Sequence, residues 1–440
     1  MFTKVVKFGG TSMANAENIR NVADIVLSDP SRRFVVVSAP GKRNKTDEKI
    51  TDMLYAVHGE VVKTGATGEV FESVKARYNE IIKDLGLKLS LDGEFDKIKK
   101  TLERNKSKDY AAARGEYLAG IITAAVLDFD FIDAAEIIKF REDGTYDAEY
   151  TNDVAGARLQ NAPKGVVVPG FYGAMPDGEI RTFSRGGSDI SGSILARAAN
   201  VLLYENWTDV DGFLTCDPKI VENPRFIEEL TYRELRELSY MGAAVLHPDS
   251  IFPVRYNDIP INIKNTFNPS YKGTMIVARQ SHKTTRTVTG IAGKKGFSNI
   301  FIEKSMMNNE LGFVRKILSV LENMGVSVEH MPSGIDTLSI IVESSALADK
   351  VPQIKEAIAA AVNPDQLEIT NDLALIATVG HGMAKRKGTA SRLFGALSKA
   401  DINIKMIDQG SSELNIIIGV ETADFEKAIN AIYKEFYVHS

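Results

Sequence analysis

Hydrophobic residues follow two spacings along the first two thirds of the chain. Residues 3–8 and 34–37 are short apolar runs, and the second is continuous, as expected for a parallel strand buried on both faces. Between them Ile19, Val22 and Val26 recur at helical spacing. Residues 47–127 are predicted to be mostly helical, and further strands are predicted at 133–138, 166–168, 201–204 and 261–264. This alternation predicts an α/β fold with a parallel sheet.

The pattern changes near residue 290, where one segment occurs twice. Residues 312–342 align without a gap on residues 388–418, an offset of 76 residues. Each copy is predicted to form a strand, a helix that follows a glycine, a strand, a glycine turn and another strand. Two copies of one βαββ-type unit predict a tandem module.

Composition and charge exclude several classes of protein. The 440 residues are 44% hydrophobic and 25% charged, which is typical of a globular chain with two or three domains. A formal net charge of −5 argues against nucleic acid as a partner. The single Cys216 excludes an intrachain disulfide and favours a reducing compartment. No apolar run is long enough to span a bilayer and no signal layout opens the chain, so we expect a cytoplasmic protein without a membrane partner.

A glycine pair follows the first predicted strand, in the run K-F-G-G-T-S that begins at Lys7. Gly9 and Gly10 would let the backbone approach a ligand closely, and the helix that follows would point N–H groups at an anion. Lys7 would add a positive charge to the same anion. The segment therefore predicts a phosphate-binding turn, although an ordinary strand-to-helix turn with a surface lysine explains it equally well.

A second glycine pair lies in the run S-R-G-G-S-D. Arg185 can grip a carboxylate with two hydrogen bonds, and the glycine N–H groups would face the same point. Asp189 could instead be an ordinary helix cap. Farther on, Asp209 and Asp211 resemble the start of a calcium loop, but the remaining positions of that loop do not fit.

Seven motifs occur in one order along the chain: K-F-G-G-T-S, V-V-V-S-A, R-G-E, V-P-G-F-Y-G, S-R-G-G-S-D, W-T-D-V-D-G and V-L-H-P. Together they resemble the aspartate kinases of the amino-acid kinase superfamily, and the repeat resembles a pair of ACT regulatory domains. The resemblance implies an amino-acid kinase domain over residues 1–290, an α/β/α sandwich on a mainly parallel sheet. It implies two α+β ACT domains, over 291–368 and 369–440, whose folds are interleaved.

The resemblance also implies the reaction. ATP would phosphorylate the β-carboxylate of L-aspartate to 4-phospho-L-aspartate, the first step toward lysine, threonine and methionine. The β-carboxylate is already ionised at neutral pH, so no general base is needed. Mg²⁺ would accompany ATP, and the ACT domains would join the chains into a homodimer or homotetramer.

Carried over position by position, the resemblance assigns roles to three groups of residues. Lys7 and Asp189 would be catalytic, and no metal ligand is assigned. The ATP-binding residues would be Lys7, Gly9, Gly10, Thr208, Asp209 and Lys219. The aspartate-binding residues would be Ser38, Thr51, Glu116, Phe171, Arg185, Gly186, Gly187 and Ser188. Within that set Glu116 would bind the α-amine and Arg185 the α-carboxylate.

The two ACT copies differ at a position that bears on regulation. The first copy has Glu329 where the second has Lys405. A bound lysine needs a carboxylate for its ε-amine, so we expect lysine, rather than threonine, to inhibit through the first copy. Glu329 could also simply project into solvent. The expected allosteric residues are Met307, Gly312, Phe313, Ser327, Val328 and Glu329.

Two other functions remain open from the sequence. A glutamate or acetylglutamate kinase would share the fold and the first glycine turn, but it is not expected to combine R-G-E and S-R-G-G-S-D with two ACT units. A non-catalytic amino-acid sensor with a decayed kinase domain is the second alternative. Ala244, where relatives commonly carry a lysine, would fit such decay, whereas Lys7, Arg185 and Asp189 argue against it.

Overall fold

The computed structural model describes residues 3–184, 186–243, 245–280, 286–384 and 386–438. The strands are β1 Lys4–Phe8, β2 Arg32–Val37, β3 Asp130–Phe131, β4 Val166–Pro169, β5 Tyr172–Ala174, β6 Ile180–Thr182, β7 Leu203–Thr208, β8 Glu229–Thr231, β9 Ile261–Asn265, β10 Thr274–Val277, β11 Gly290–Glu303, β12 Thr337–Glu343, β13 Gln366–Val379, β14 Met406–Asp408 and β15 Asn415–Glu421. The helices are α1 Ala16–Leu27, α2 Ile50–Thr64, α3 Glu69–Leu85, α4 Asp92–Asn105, α5 Lys108–Leu127, α6 Ala134–Ile137, α7 Ala148–Gln160, α8 Gly187–Ala198, α9 Tyr232–Tyr240, α10 Ile251–Arg255, α11 Phe313–Asn323, α12 Ser344–Leu347, α13 Val351–Val362, α14 Thr389–Lys399 and α15 Phe425–Tyr433. Among these helices none has both the length and the apolar character needed to cross a membrane.

The chain forms two compact units. The first consists of Met1–Phe213, Glu228–Tyr232 and Val245–Ser281. The second consists of Leu214–Ile227, Arg233–Ala244 and His282–Ser440. Each unit is built around its own sheet.

The first unit contains an eight-stranded sheet in the order β3-β4-β2-β1-β7-β9-β10-β8. Every neighbouring pair is parallel except β9 and β10, which confirms the mainly parallel α/β fold. The central strands are apolar and buried, because helices α1, α5 and α8 pack against them. The carboxyl ends of β1, β2, β4 and β7 therefore meet at one edge of the sheet, where ligands bind in open α/β folds.

The helical prediction for residues 47–127 is confirmed by α2 to α5. The strand predicted at 133–138 is wrong, because that segment contains the short helix α6, and the strand β3 lies just before it. Asp133 caps α6 by accepting a hydrogen bond from the Ala135 N–H. The cap and the helix formers Ala134 and Glu136 outweigh the apolar pattern.

The second unit contains a five-stranded antiparallel sheet in the order β12-β11-β13-β15-β14. The repeat is confirmed in its helices, since α11 and α14 are both 11 residues long and follow Gly312 and Gly388. Both glycines have positive φ, +77° and +86°, which favours glycine at these positions. The last strands are equivalent at an offset of 78 rather than 76 residues, so the second copy carries two extra residues in the preceding loop.

Strands β11 and β13 are 14 residues each and pair from end to end, apart from a shift in register between Lys295 and Ser298. Gly293 pairs with Ile376, and Ile300 pairs with Ile369. At the repeat offset of 76, Gly293 is equivalent to Ile369 and Ile300 to Ile376. The two pairs are therefore related by an internal twofold axis. Each strand serves two cores. Ile300 packs under α11 and α13, whereas Ile291, earlier on the same strand, packs under α14 and α15.

The buried middle of this sheet generates a stability prediction. Ile376 is 0% exposed and Ile407, in the same sheet, is 48% exposed. Ile376→Ala should lower the free energy of unfolding by about 2–5 kcal/mol, because it leaves a cavity in the core. The matched change Ile407→Ala should cost less than about 1 kcal/mol. Urea unfolding of both variants measures the difference, and equal losses would contradict the core assignment.

Candidate active site

A buried ion pair lies at the carboxyl end of β1. The Lys7 Nζ donates to the Asp189 Oδ1 at 2.5 Å, and the two side chains are 8% and 16% exposed. Asn206, on the neighbouring strand β7, donates to the same carboxylate oxygen at 2.9 Å. The Tyr204 hydroxyl donates to the Asp189 carbonyl at 3.1 Å. The structure thus joins the two residues expected to be catalytic, which are 182 positions apart in the chain.

The glycine turn beside Lys7 is tightly constrained. A Cβ on Gly41 would lie 2.7 Å from the Gly10 carbonyl carbon, and one on Gly10 would lie 3.1 Å from the Ala39 carbonyl oxygen. A Cβ on Gly9 would lie 3.7 Å from the Lys7 Nζ, so the glycine keeps space open next to the charge. The Gly9 N–H is already used, because it donates to the Trp207 carbonyl at 3.1 Å.

The helix expected directly after these glycines begins later. Residues Thr11–Met13 form a short 3₁₀ turn, and α1 starts only at Ala16. The Asn15 side chain caps α1 by accepting from the Asn18 N–H at 2.9 Å. The Asn15 side chain therefore already accepts from one of the first N–H groups of α1, and the anion-binding role expected for this helix start stays a prediction.

Residues from two further strand ends meet at the start of α8. The Ser38 and Ser188 hydroxyls are 2.8 Å apart, and the Phe171 N–H donates to the Ser191 Oγ at 3.0 Å. Phe171 has φ +82°, which is unusual for a residue other than glycine. A Cβ on Gly187 would lie 2.3 Å from the Phe171 ring, so only glycine fits there.

Helix α8 begins without a side-chain cap. Gly186, at φ +59°, precedes it and provides no side chain to occupy the first N–H groups. Asp189 does not act as the cap, because its carboxylate faces Lys7 and Asn206 instead. An uncapped helix start of this kind favours a bound anion.

Glu116 is buried in the middle of α5. It is 5% exposed, and among the described residues its Oε2 has no hydrogen-bond partner. Burial raises the pKa of the Glu116 carboxyl to about 7, whereas the Ala39 backbone and the Arg114 charge favour the ionised form. Gly115 lets α5 lie close to the loop that contains Ala39, since a Cβ on Gly115 would lie 2.7 Å from the Ala39 Cβ. Thr51 is half-buried in the first turn of α2. The residue before it, Ile50, also lies close to Gly115, because its Cγ2 would be 3.2 Å from a Cβ on Gly115.

The residues expected to bind the nucleotide fall in two places. Thr208 ends β7, and Asp209, the next residue, accepts from the Thr11 hydroxyl at 3.1 Å beside the glycine turn. Asp211 accepts from the Asn265 amide and does not face a cluster of acidic groups. Lys219 is exposed and belongs to the second compact unit.

Two positions discussed from the sequence, Arg185 and Ala244, lie outside the described residues. Over the described ranges, His, Cys, Asp and Glu side chains form no group of three that could hold a metal ion.

The residues expected to bind an inhibitor lie around α11 in the second unit. Met307 and Phe313 are buried in the core of the first ACT copy, Gly312 precedes α11, Val328 is partly buried, and Ser327 is exposed. Glu329 does not project freely into solvent, because its carboxylate accepts a hydrogen bond from the Tyr240 hydroxyl.

Sequence reasoning missed two residues that fix the site. Asn206 orients Asp189, and its signal was a pair of polar residues inside an otherwise buried strand. Arg77, on α3 and 4% exposed, donates to the Gly41 and Glu48 carbonyls and pairs with Asp47 at 3.2 Å. Only the tertiary structure brings Arg77 to that loop, so its role had no local signal.

This arrangement suits transfer of a phosphoryl group to a carboxylate. A fixed lysine charge and an uncapped helix start favour bound anions, and a buried carboxylate with a free oxygen suits an ammonium group. Fold and site together define an amino-acid kinase. In agreement, the model of the amino acid kinase family matches residues 2–265, and a model of the ACT domain matches residues 376–436.

Comparison with known proteins identifies the kind of amino-acid kinase. Aspartokinase 3 of Bacillus subtilis is 41% identical over 452 residues, covering 99% of this chain and 98% of that protein. The crystal structure of Clostridium acetobutylicum aspartate kinase superimposes with a TM-score of 0.91 at 50% identity, covering 99% of this chain and 100% of that one. The chain therefore belongs to the aspartate kinases.

The same fold occurs in Escherichia coli aspartokinase III at 24% identity. Its complex with aspartate and ADP, described as the R-state, has a TM-score of 0.78 and covers 99% of this chain and 100% of that one. Its complex with lysine and aspartate, described as the T-state, has a TM-score of 0.77 and covers 99% of both chains.

The crowding at Gly41 generates a prediction for the glycine turn. Gly41→Ala should lower kcat/KM for ATP by about 100-fold, since the new methyl would displace the Gly10 backbone beside Lys7. Gly59→Ala is the matched control, because a Cβ there meets nothing within 4 Å and alanine favours the helix. Steady-state kinetics of both variants test this. Full activity in Gly41→Ala would show that the turn tolerates displacement.

Proposed function

We propose that this aspartate kinase transfers the γ-phosphoryl group of ATP to the β-carboxylate of L-aspartate, with Lys7 as the main source of positive charge. The observation that supports this most is the buried pair of Lys7 with Asp189, held by Asn206 at the carboxyl end of β1. A carboxylate oxygen of aspartate attacks the γ-phosphorus while the bond to the ADP oxygen breaks. The products are ADP and 4-phospho-L-aspartate.

The roles follow from charge. Two anions must approach each other, so the reaction needs positive charge and fixed positions rather than a base. Lys7, with Gly9 and Gly10 beside it, contacts the phosphates. Asp189 holds Lys7 in place. Mg²⁺ enters as part of the nucleotide substrate, which suits an ion that keeps phosphate and water ligands and needs few carboxylates.

Aspartate binds between the other strand ends. Glu116 receives the α-amine, because it is the buried carboxylate with a free oxygen. Arg185 binds the α-carboxylate beside Gly186 and Gly187. Ser38, Thr51, Phe171 and Ser188 are assigned to the same substrate, and Thr208 and Asp209 are assigned to the nucleotide. The nucleotide role expected for Lys219, which belongs to the second unit, stays a prediction.

The regulatory part follows the domain limits expected from the sequence, 1–290 for the kinase domain and 291–368 and 369–440 for the two ACT domains. We propose that the ACT part joins chains into a homodimer or homotetramer. In support, four large apolar side chains of the first copy are exposed: Met306 by 67%, Leu311 by 95%, Met331 by 39% and Ile335 by 71%. The reaction would open the route to lysine, threonine and methionine.

One assay tests the substrate. Hydroxylamine traps an acyl phosphate as a hydroxamate, and the enzyme with MgATP should form it from L-aspartate but not from glutamate or acetylglutamate. Product from glutamate alone would favour the other amino-acid kinases. No product from any of them would favour an amino-acid sensor.

The charge of Lys7 generates a prediction in the same assay. Lys7→Ala should lower kcat by about 10³-fold, comparable to loss of other charges in phosphoryl transfer, with a much smaller change in the KM for aspartate. Lys164→Ala is the control, because Lys164 is 60% exposed and pairs only with Asp128 at the surface. A nearly normal kcat in Lys7→Ala would make the glycine turn a structural feature only.

We further propose that lysine inhibits the enzyme through the first ACT copy. Glu329 supplies a half-buried carboxylate for the ε-amine. Tyr240 already holds this carboxylate by a hydrogen bond, so it is oriented before the ligand arrives. Threonine has no second amine and would leave Glu329 without its charge partner. The E. coli relative solved with lysine supports the choice.

Glu329→Ala should raise the lysine concentration for half-inhibition by about 10-fold or more, the loss of a charged hydrogen bond, with kcat unchanged. The exposed Glu322→Ala in the same copy is the control. Inhibition by threonine but not lysine in the wild type would contradict the assignment. Unchanged lysine sensitivity in Glu329→Ala would place the ligand elsewhere, for example in the cavity of about 290 Å³ beside Gly388 in the second copy.

A further inference from the structure

Arg114 is buried in the first unit, and among the described residues no acidic side chain forms an ion pair with it. It lies on α5 and is 4% exposed. Its guanidinium lies over three aromatic rings, at 4.5 Å from the Tyr110 centroid, 4.6 Å from Tyr117 and 5.2 Å from Tyr172. Such stacking stabilises a cation through the negative faces of the rings.

The three tyrosines around the Arg114 guanidinium form an aromatic cage, and this cage links two parts of the proposed aspartate site. Tyr110 and Tyr117 belong to α5, the helix that carries Glu116 two residues after Arg114. Tyr172 begins β5 and directly follows Phe171, the residue with positive φ. Arg114 therefore connects the helix of Glu116 to the turn at Phe171.

Two carboxylates accept hydrogen bonds from the tyrosines of the cage. The Tyr117 hydroxyl donates to Glu94 at 2.9 Å, and the Tyr172 hydroxyl donates to Asp133 at 2.7 Å. Both acids bond to the tyrosines rather than to the guanidinium. Among the described residues, the Arg114 Nε and Nη2 are buried with no hydrogen-bond partner. Burying donors this way costs free energy, so the charge is expected to have a purpose beyond packing.

We propose that Arg114 is a positioning residue for aspartate: its caged guanidinium fixes the Glu116 helix against the Phe171 turn and keeps Glu116 as a carboxylate able to receive the substrate amine. This rests on the proposed role of Glu116. In this proposal Arg114 acts on the substrate through Glu116 and does not contact it directly.

The electrostatics around Glu116 support the proposal. Burial alone favours the protonated acid, which cannot hold an ammonium group by charge. Arg114 opposes that effect from α5, and the Ala39 backbone opposes it from the loop after β2. Among the described residues, Tyr55 on α2 and Tyr78 on α3 also interact electrostatically with Glu116. Burial raises the pKa of both tyrosines, so they stay neutral while Glu116 titrates.

The test is the pH dependence of kcat/KM for aspartate, which reports the ionisation of the free enzyme. In the wild type this value should fall with decreasing pH as Glu116 protonates near pH 7. Arg114→Met removes the charge and keeps most of the volume. In this variant the fall in kcat/KM at low pH, the acid limb of the profile, should lie about one pH unit higher. The reason is that loss of a nearby positive charge raises the pKa of a carboxyl group. Arg114→Lys keeps the charge and should restore the wild-type limb.

Two further variants separate the possible outcomes. Arg114→Gln is a second neutral variant, and its limb must move with that of Arg114→Met. Glu116→Gln should abolish the limb and raise the aspartate KM. If it does neither, the role of Glu116 fails and the proposed function must be revised. If it does both while the neutral Arg114 variants lower kcat/KM equally at every pH, only the role of Arg114 is overturned. Failure of both neutral variants to fold would likewise assign Arg114 to stability alone.

Discussion

Moving the Lys7 ammonium out of water without a partner would cost several kcal/mol, and polar groups of the first unit offset that cost. Asp189 supplies the partner from α8, and Asn206 supplies the orientation from β7. The pair therefore ties the start of α8 to the central strands of the sheet. The same helix start brings Ser188 to Ser38, so Lys7, which we propose contacts the phosphates, also helps to position the proposed aspartate pocket.

The contrast between Lys7 and Glu116 explains how two anions can share one cleft. Lys7 has a carboxylate partner, whereas Glu116 is buried with one oxygen that has no partner among the described residues, and burial raises its pKa to about 7. At neutral pH a carboxyl group with this pKa is only partly ionised, so it adds less repulsion to the cleft than a fully charged carboxylate would. It becomes a strong partner only when an ammonium group enters beside it.

Local signals in the sequence were enough for the fold, and they located the two glycine-rich segments of the candidate site. Apolar runs located β2 and β4, and the repeat located α11 and α14, because burial and helical spacing are properties of neighbouring residues. Capping misled the prediction in one place, because Asp133 caps a helix where a strand was expected. Residues such as Arg77 and Asn206 could not be found, since their partners are set by tertiary packing.

The paired strands β11 and β13 have a consequence for how the regulatory copies respond. Each strand runs without interruption from the core of one copy to the core of the other. Neither copy can open without pulling half of its neighbour's central strands away from their helices. The two copies should accordingly exchange their slowest amide hydrogens together, as one cooperative foldon. An amino acid bound to one copy would then stiffen both, with no separate relay between them.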